Sequence, residues 1–346
     1  MNGADAHAPE PQAPAAAAPA GQAAEQTAGQ AEGQRAGQPA GQAAGQAAEQ
    51  APDQVAGHAA EQTAAQPAAY GMPAVADELE AYALDPQAGT PLTAAITAVP
   101  AEATARYALE LGDDALIMAQ RLGELVAKGP ELEEDIALTN IGLDQLGAAR
   151  LLLQYAGRGL GRSEDELAYF RDESEFRCCA LVEQPNGDFA QTIAKVFLVA
   201  HFQQLLYGAL LGSADEFLAA VAAKSLKEVD YHVEHADLWV LRLGDGTAES
   251  HRRMQQGLAE VWPAVAELFD DTGNAELITA GIAPERAGLR EAFEARVAEV
   301  IEQATLSVPT AAPLMVGARQ GRHTPHLGFL LAGMQVLARQ HPGATW

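Results

Sequence analysis

From about residue 101 onward, apolar side chains recur every three or four positions in long stretches separated by short Gly-, Pro- and Asp-rich breaks. That is the period of a helix with one buried face. Glu102 to Ala127 carries Tyr107, Leu111, Ala115, Met118, Leu122 and Leu125 at this spacing. Gly129 and Pro130 close it and open a second helix, predicted to run to about Ala156. Its first turns hold Glu131, Glu133, Glu134 and Asp135, where the helix dipole favours acids. The second helix runs through Ile136, Asn140, Leu143, Gly147, Arg150 and Gln154. Asn140 and Gly147 near its apolar face suggest a close helix–helix approach or a buried polar contact.

A charged, glycine-containing break at 157–187 precedes a third helix, Phe189 to Leu211, with Asp188 or Asn186 placed to cap it. A fourth spans about 217–243 and stops at Gly244-Asp245-Gly246-Thr247. Further helices are predicted over Ser250 to Phe269, Pro284 to Leu306 and Gly328 to Gln340. Between the last two lies a loop with Gly317, Gly321, His323 and His326. No convincing strand interrupts them. The pattern predicts an all-α protein: a four-helix core (about 102–127, 130–156, 189–211 and 217–243) with additional C-terminal helices.

The first hundred residues are different in kind. They are Ala, Gln, Gly and Pro with one basic residue, Arg35, and almost no large apolar side chain. Such a segment buries too little surface to offset its ordering entropy, which predicts a disordered tail over 1–100 and a folded domain over 101–346. There is no early basic cluster or apolar run of a targeting peptide. No stretch of about 18 consecutive apolar residues suggests a membrane span. The net charge of −26 makes nucleic acid and anionic membranes poor partners. The two cysteines, Cys178 and Cys179, are sequence neighbours, too few and too close for a disulfide framework. A reduced, cytoplasmic protein is expected.

Candidate chemistry concentrates on Lys224 to Leu243. Beside the apolar stripe Leu226, Val229, Val233, Ala236, Val240 and Leu243 runs a polar row, Glu228, His232, His235 and then Trp239. Carboxylates and imidazoles inside a bundle are the ingredients of a di-metal centre, which takes one Glu from each of two helices and Glu-x-x-His from each of the other two. The chain does not meet that pattern. No histidine of the folded part has Glu three places before it. Glu228 has Tyr231 at the third place, with His232 one later. The nearest analogue on the second helix, Asp144, is followed by Gly147, and no histidine occurs between His58 and His201. Asp144, Glu228 and His232 therefore read as vestigial polar core residues, with Glu228 and His232 in a carboxylate–imidazole hydrogen bond. Lys224 and Glu228 read as an i,i+4 ion pair and His201 as a satisfied core histidine. The alternative is an independent metal-binding protein or enzyme using His232, His235, His323 and His326. Arg319, Arg322 and His323 form the one locally basic loop. It reads as solvated, with contact to a coenzyme A phosphate on a partner as the functional alternative. Phosphate-binding loops, a dinucleotide fingerprint and a nucleophile elbow are absent from the sequence.

Several ordered blocks resemble one family, the PaaC-type subunit of bacterial 1,2-phenylacetyl-CoA epoxidase. They are RLGEL at 121–125, ELEEDIALTNIGLDQLGAAR at 131–150, LVEQPNGDFAQTIAK at 181–195 and KSLKEVDYHVEHADLWVLRLGDGT at 224–247. RMQQ at 253–256, ATLSVP at 304–309, HTPHLGFLLAGMQ at 323–335 and the terminal PGATW complete the set. The resemblance implies a ferritin-like bundle acting as a non-catalytic structural subunit of a multicomponent oxygenase. It implies pairing with a homologous catalytic subunit that carries the di-iron site, a small accessory subunit, and a reductase with FAD and an iron–sulfur cluster that uses NADPH. The implied reaction epoxidises the aromatic ring of phenylacetyl-CoA with O₂ during phenylacetate catabolism. No catalytic, cofactor or metal residue carries over to this chain.

Overall fold

The computed structural model describes residues 98–344, and within them the chain is helical with no strand. The predicted tail falls almost wholly outside the described residues. Ten α-helices follow in order: α1 Glu102–Gly123, α2 Leu132–Leu160, α3 Glu164–Tyr169, α4 Ala180–Glu183, α5 Phe189–Leu210, α6 Glu216–Gly244, α7 Ala248–Val261, α8 Ala275–Thr279, α9 Arg290–Gln303 and α10 Pro325–Gln340. Short 3₁₀ turns lie at Glu173–Glu175, Trp262–Phe269, Arg286–Leu289 and Ala318–Gln320.

Four long helices, α1, α2, α5 and α6, form two hairpins. In the first, Gly159 lies against Ala105, Gly112 against Leu153, and Gly142 against Leu122. The falling numbers on one side as the other rises make α1 and α2 antiparallel. In the second hairpin, Phe189 packs on Trp239, His201 bonds Asp237 and Gln204 bonds Asp230, again antiparallel. Between hairpins, Tyr155 stacks on Phe217 and Asp144 meets His232, so α2 and α6 are antiparallel as well. It follows that α2 and α5 run the same way, and the chain must travel the bundle's length between them. Residues 161–188 do this along α1. Arg171 pairs with Asp113, the Cys179 amide bonds Asp114, and Asn186 reaches the Arg121 carbonyl.

Local signals fix the ends. Asp188 caps α5 through the Gln191 amide, as predicted, and Asp215 caps α6 through Leu218. Gly161 ends α2 in the left-handed region (φ 67°), the conformation glycine takes at least cost. Helix α5 is apolar all round, and such a helix belongs in an interior. By length and composition it could cross a membrane, yet 78% of its most apolar window is buried within this fold. Helices α7 and α9 pack on α5 and α6, and α10 packs across α1 and α3.

Four sequence expectations change. The row through Ile136, Asn140 and Leu143 on α2 faces outward. The core is instead met by Leu138, Ile141, Gln145, Ala148 and Leu152. The close approach expected at Gly147 occurs at Gly142, whereas a Cβ on Gly147 would meet none of the described residues within 4 Å. The predicted helix to Phe269 breaks at Val261, where Pro263 lacks an amide donor and the chain tightens to 3₁₀. The last helix begins at Pro325, which puts His326 in a helix and not in the loop.

Candidate functional site

The polar row of α6 faces α2 across the seam between hairpins. His232 Nε2 lies 3.0 Å from Asp144 Oδ2, and His235 Nε2 lies 2.9 Å from Glu134 Oε2. Lys224 donates to Glu228 Oε1 at 2.6 Å, the expected i,i+4 pair. The expected Glu228–His232 bond does not form: Glu228 is taken by Lys224 one turn earlier on α6, and His232 by Asp144 across the seam. Burial raises the Glu228 carboxyl above its ordinary value, opposed by Lys224 and reinforced by the like charge of Asp144. His201 is a core histidine as expected, its Nε2 2.8 Å from Asp237 Oδ1. Deeper in the bundle, Gln145 and Gln203 exchange two amide hydrogen bonds of 2.8 and 3.0 Å between α2 and α5.

These donors do not fit a two-metal centre. Asp144 and Glu228 retain 33% and 25% side-chain exposure, and each is already paired within the chain, with His232 and Lys224. The layer where α2 and α5 approach is filled by neutral amides. Tyr231, three places after Glu228, is half exposed. His201, His232 and His235 each present Nε2 to a carboxylate and leave Nδ1 without a partner among the described residues. A metal-bound imidazole also has one nitrogen on a carboxylate. Among the described residues, however, the one group of three donors lying together contains none of these histidines.

That group is Cys178, Glu183 and His323. It dissolves the four-histidine alternative, since His323 is turned away from α6. His323 Nδ1 lies 2.7 Å from Glu183 Oε1, and its Nε2 donates to the Phe176 carbonyl at 3.0 Å. The other Glu183 oxygen accepts from the Thr324 amide and hydroxyl at 2.8 and 2.6 Å. The carboxylate thus ties the crossover to the start of α10. Burial and nearby carboxylates push the Cys178 thiol well up, so it stays protonated. Both cysteines are free.

Sequence reasoning missed the most heavily charged part of the interior. Glu110, Asp113 and Asp114 project from one face of α1 and are buried. Asp114 receives Arg319 through both terminal nitrogens at 3.0 and 2.7 Å. Glu110 pairs with Arg286, and Asp113 with Arg171. The basic loop is therefore neither solvated nor free for an anion at Arg319. Arg322 alone keeps an exposed position, bonded to the Val316 carbonyl at 3.1 Å. The signal was present in the sequence: three acids at i, i+3 and i+4 in an apolar helix need cations from elsewhere.

Fold and site together define a helical bundle of two hairpins joined by a lengthwise crossover, in which Glu134, Asp144 and Glu228 are each paired with a side chain of α6. The chain belongs to the family described as phenylacetic acid catabolic protein, which matches residues 90–346. It is 47% identical over 242 residues to the C subunit of 1,2-phenylacetyl-CoA epoxidase from Escherichia coli (strain K12), a match covering 69% of this chain and 98% of that protein. The family expected from the sequence blocks is the family found, and a role in phenylacetate catabolism goes with it.

Proposed function

We propose that this chain is a ferritin-like, non-catalytic structural subunit of a cytoplasmic phenylacetyl-CoA epoxidase. It would pair with a homologous catalytic subunit holding the di-iron centre, alongside a small accessory subunit and an NADPH-dependent reductase with FAD and an iron–sulfur cluster. Oxygen from O₂ is added to the aromatic ring on the catalytic subunit, and this chain contributes no reacting group. The observation that carries the reading is the pairing of Asp144 with His232 and Glu228 with Lys224, above a layer of neutral amides. The lengthwise crossover between parallel α2 and α5 supports the ferritin-like assignment, since that fold uses one such connection.

The test is a triple substitution, Asp144→Asn, Glu228→Gln and His232→Gln, in the assembled complex. Turnover of phenylacetyl-CoA and iron content should stay within about threefold of the wild type, because removing a structural polar contact leaves the transition state untouched. Loss of about a hundredfold in turnover with the complex intact, or loss of iron, would assign the chemistry to this chain and refute the proposal.

A further inference from the structure

Beside the buried charge pairs of α1 lies a cleft of about 610 Å³, bounded by α1, the end of α2, the crossover and the loop at 272–274. That volume is in the range of small-molecule sites. Leu109, Leu160 and Leu167 give it an apolar lining. Five arginines also line it: Arg106, Arg162, Arg171, Arg177 and Arg319. Four of the five have a carboxylate. Arg171 pairs with Asp113 and Arg319 with Asp114 inside the fold, while Arg106 pairs with Glu102 and Arg162 with Glu175 nearer the surface. Glu110, also in the lining, pairs with Arg286 and approaches Arg319. Arg177 is left over. Its Nη1 donates to the Ser174 and Phe176 carbonyls at 2.8 and 2.6 Å. Its Nε and Nη2 make no hydrogen bond, and it has no carboxylate partner, among the described residues. Among the charges of the lining and their partners, one positive charge therefore stays unbalanced, in a chain that carries −26 overall.

We propose that this cleft binds a small monoanionic carboxylate with an apolar body, its head on Arg177 and its body along Leu109, Leu160 and Leu167. The two donors that Arg177 leaves free, Nε and Nη2, form one edge of the guanidinium. Such an edge holds a carboxylate through two parallel charge-assisted hydrogen bonds. A neutral molecule would leave that edge to water, and inorganic phosphate would make no use of the leucines. A dianion would bring a second negative charge against one unbalanced cation, in a chain that already repels anions. The exposed pairs of Arg106 and Arg162 contribute little to stability, so either guanidinium can turn to assist the head. Arg171 and Arg319 stay with their buried carboxylates and do not take part. The cleft shares no residue with the α2–α6 seam, and the proposal stands apart from the structural-subunit reading.

Equilibrium dialysis of radiolabelled phenylacetate, a small aryl carboxylate, against the full-length chain tests this. A Kd of about 1 mM or tighter is expected for a ligand of this size. Two competitors separate head from body: 2-phenylethanol, which lacks the charge, and inorganic phosphate, which lacks the ring, should each compete at least about tenfold more weakly than unlabelled phenylacetate. Arg177→Met removes the fork and should weaken binding at least about tenfold, with the melting temperature within about 4 °C of wild type. Ala103 is exposed and lines the cleft, so Ala103→Trp fills it without touching the core and should weaken binding by a similar factor, about tenfold. If Arg177→Met does not fold, Ala103→Trp decides. Absence of wild-type binding up to about 10 mM, or wild-type affinity in either folded variant, would overturn the proposal. So would competition by the alcohol as strong as that of phenylacetate. Tighter binding of phenyl phosphate than of phenylacetate would overturn the monoanion assignment.

Discussion

Replacing Asp113 tests how the crossover is held. Asp113 and Arg171 are 0% and 1% exposed, and Arg171 presents both terminal nitrogens to the carboxylate. Asp113 also accepts from the Arg177 amide at 2.8 Å. Asp113→Ala leaves the guanidinium uncompensated, which costs about 3–5 kcal/mol, and orphans an amide for about 1 more. At roughly 2–4 °C per kcal/mol for a domain of this size, the melting temperature should fall by roughly 10–20 °C. Arg171→Met alone should be comparably harmful, because it strands the buried carboxylate. Arg171 also stacks on Phe176 at 4.0 Å, and a methionine keeps part of that packing. The double variant Asp113→Ala/Arg171→Met removes both charges and should recover at least about 2 kcal/mol relative to the sum of the singles. Urea unfolding followed by far-ultraviolet circular dichroism gives all four corners of the cycle. Additivity within about 0.5 kcal/mol would show that the charges do not hold each other, and would refute the reasoning.

Two other interior groups make distinct predictions. Lys195 is fully buried, donating to the Gln184 carbonyl at 2.9 Å and to Asn186 Oδ1 at 2.8 Å, and burial, with the Arg121 charge, pulls its ammonium down to about 7. Between that value and the unfolded value of 10.5 the unfolded chain binds more protons, so its contribution to stability rises with pH and is lost as pH falls toward 7. From pH 7 to 9 the wild type should gain roughly 1 kcal/mol per pH unit relative to Lys195→Met; parallel stability profiles would contradict this. Burial raises both cysteine thiols, so neither should react with a disulfide reagent at neutral pH until denaturant is added; a fast-titrating thiol in the folded protein would count against the packing around Cys178 and Cys179.

The long helices were legible because each carries period, cap and stop together. At Asp188 and Asp215 the capping side chain stands where the apolar rhythm begins. What periodicity could not resolve was which of two rows on α2 is inside. Ile136 and Leu143 repeat at helical spacing as well as Leu138, Ile141 and Gln145 do, and only the neighbouring helices decide between them. The buried charge pairs were illegible for another reason. Asp113, Asp114 and Glu110 meet partners 58, 205 and 176 positions away, and no local pattern relates such residues. The seam was half legible: Asp144, Glu228 and His232 are neighbours there, yet the partner of His232 is Asp144 and that of Glu228 is Lys224.

That exchange of partners bears on what such a bundle needs in place of a metal. Carboxylates lining the interior of four packed helices repel one another and resist desolvation, and in a di-metal protein two cations relieve both costs. Here relief comes from the chain: Lys224 stands against Glu228, His232 against Asp144, and His235 against Glu134 at 2.9 Å. Each of these partners sits on α6, so one helix supplies the hydrogen-bond partners of the acids of the seam. The remaining central polar position is an amide pair that carries no charge at all.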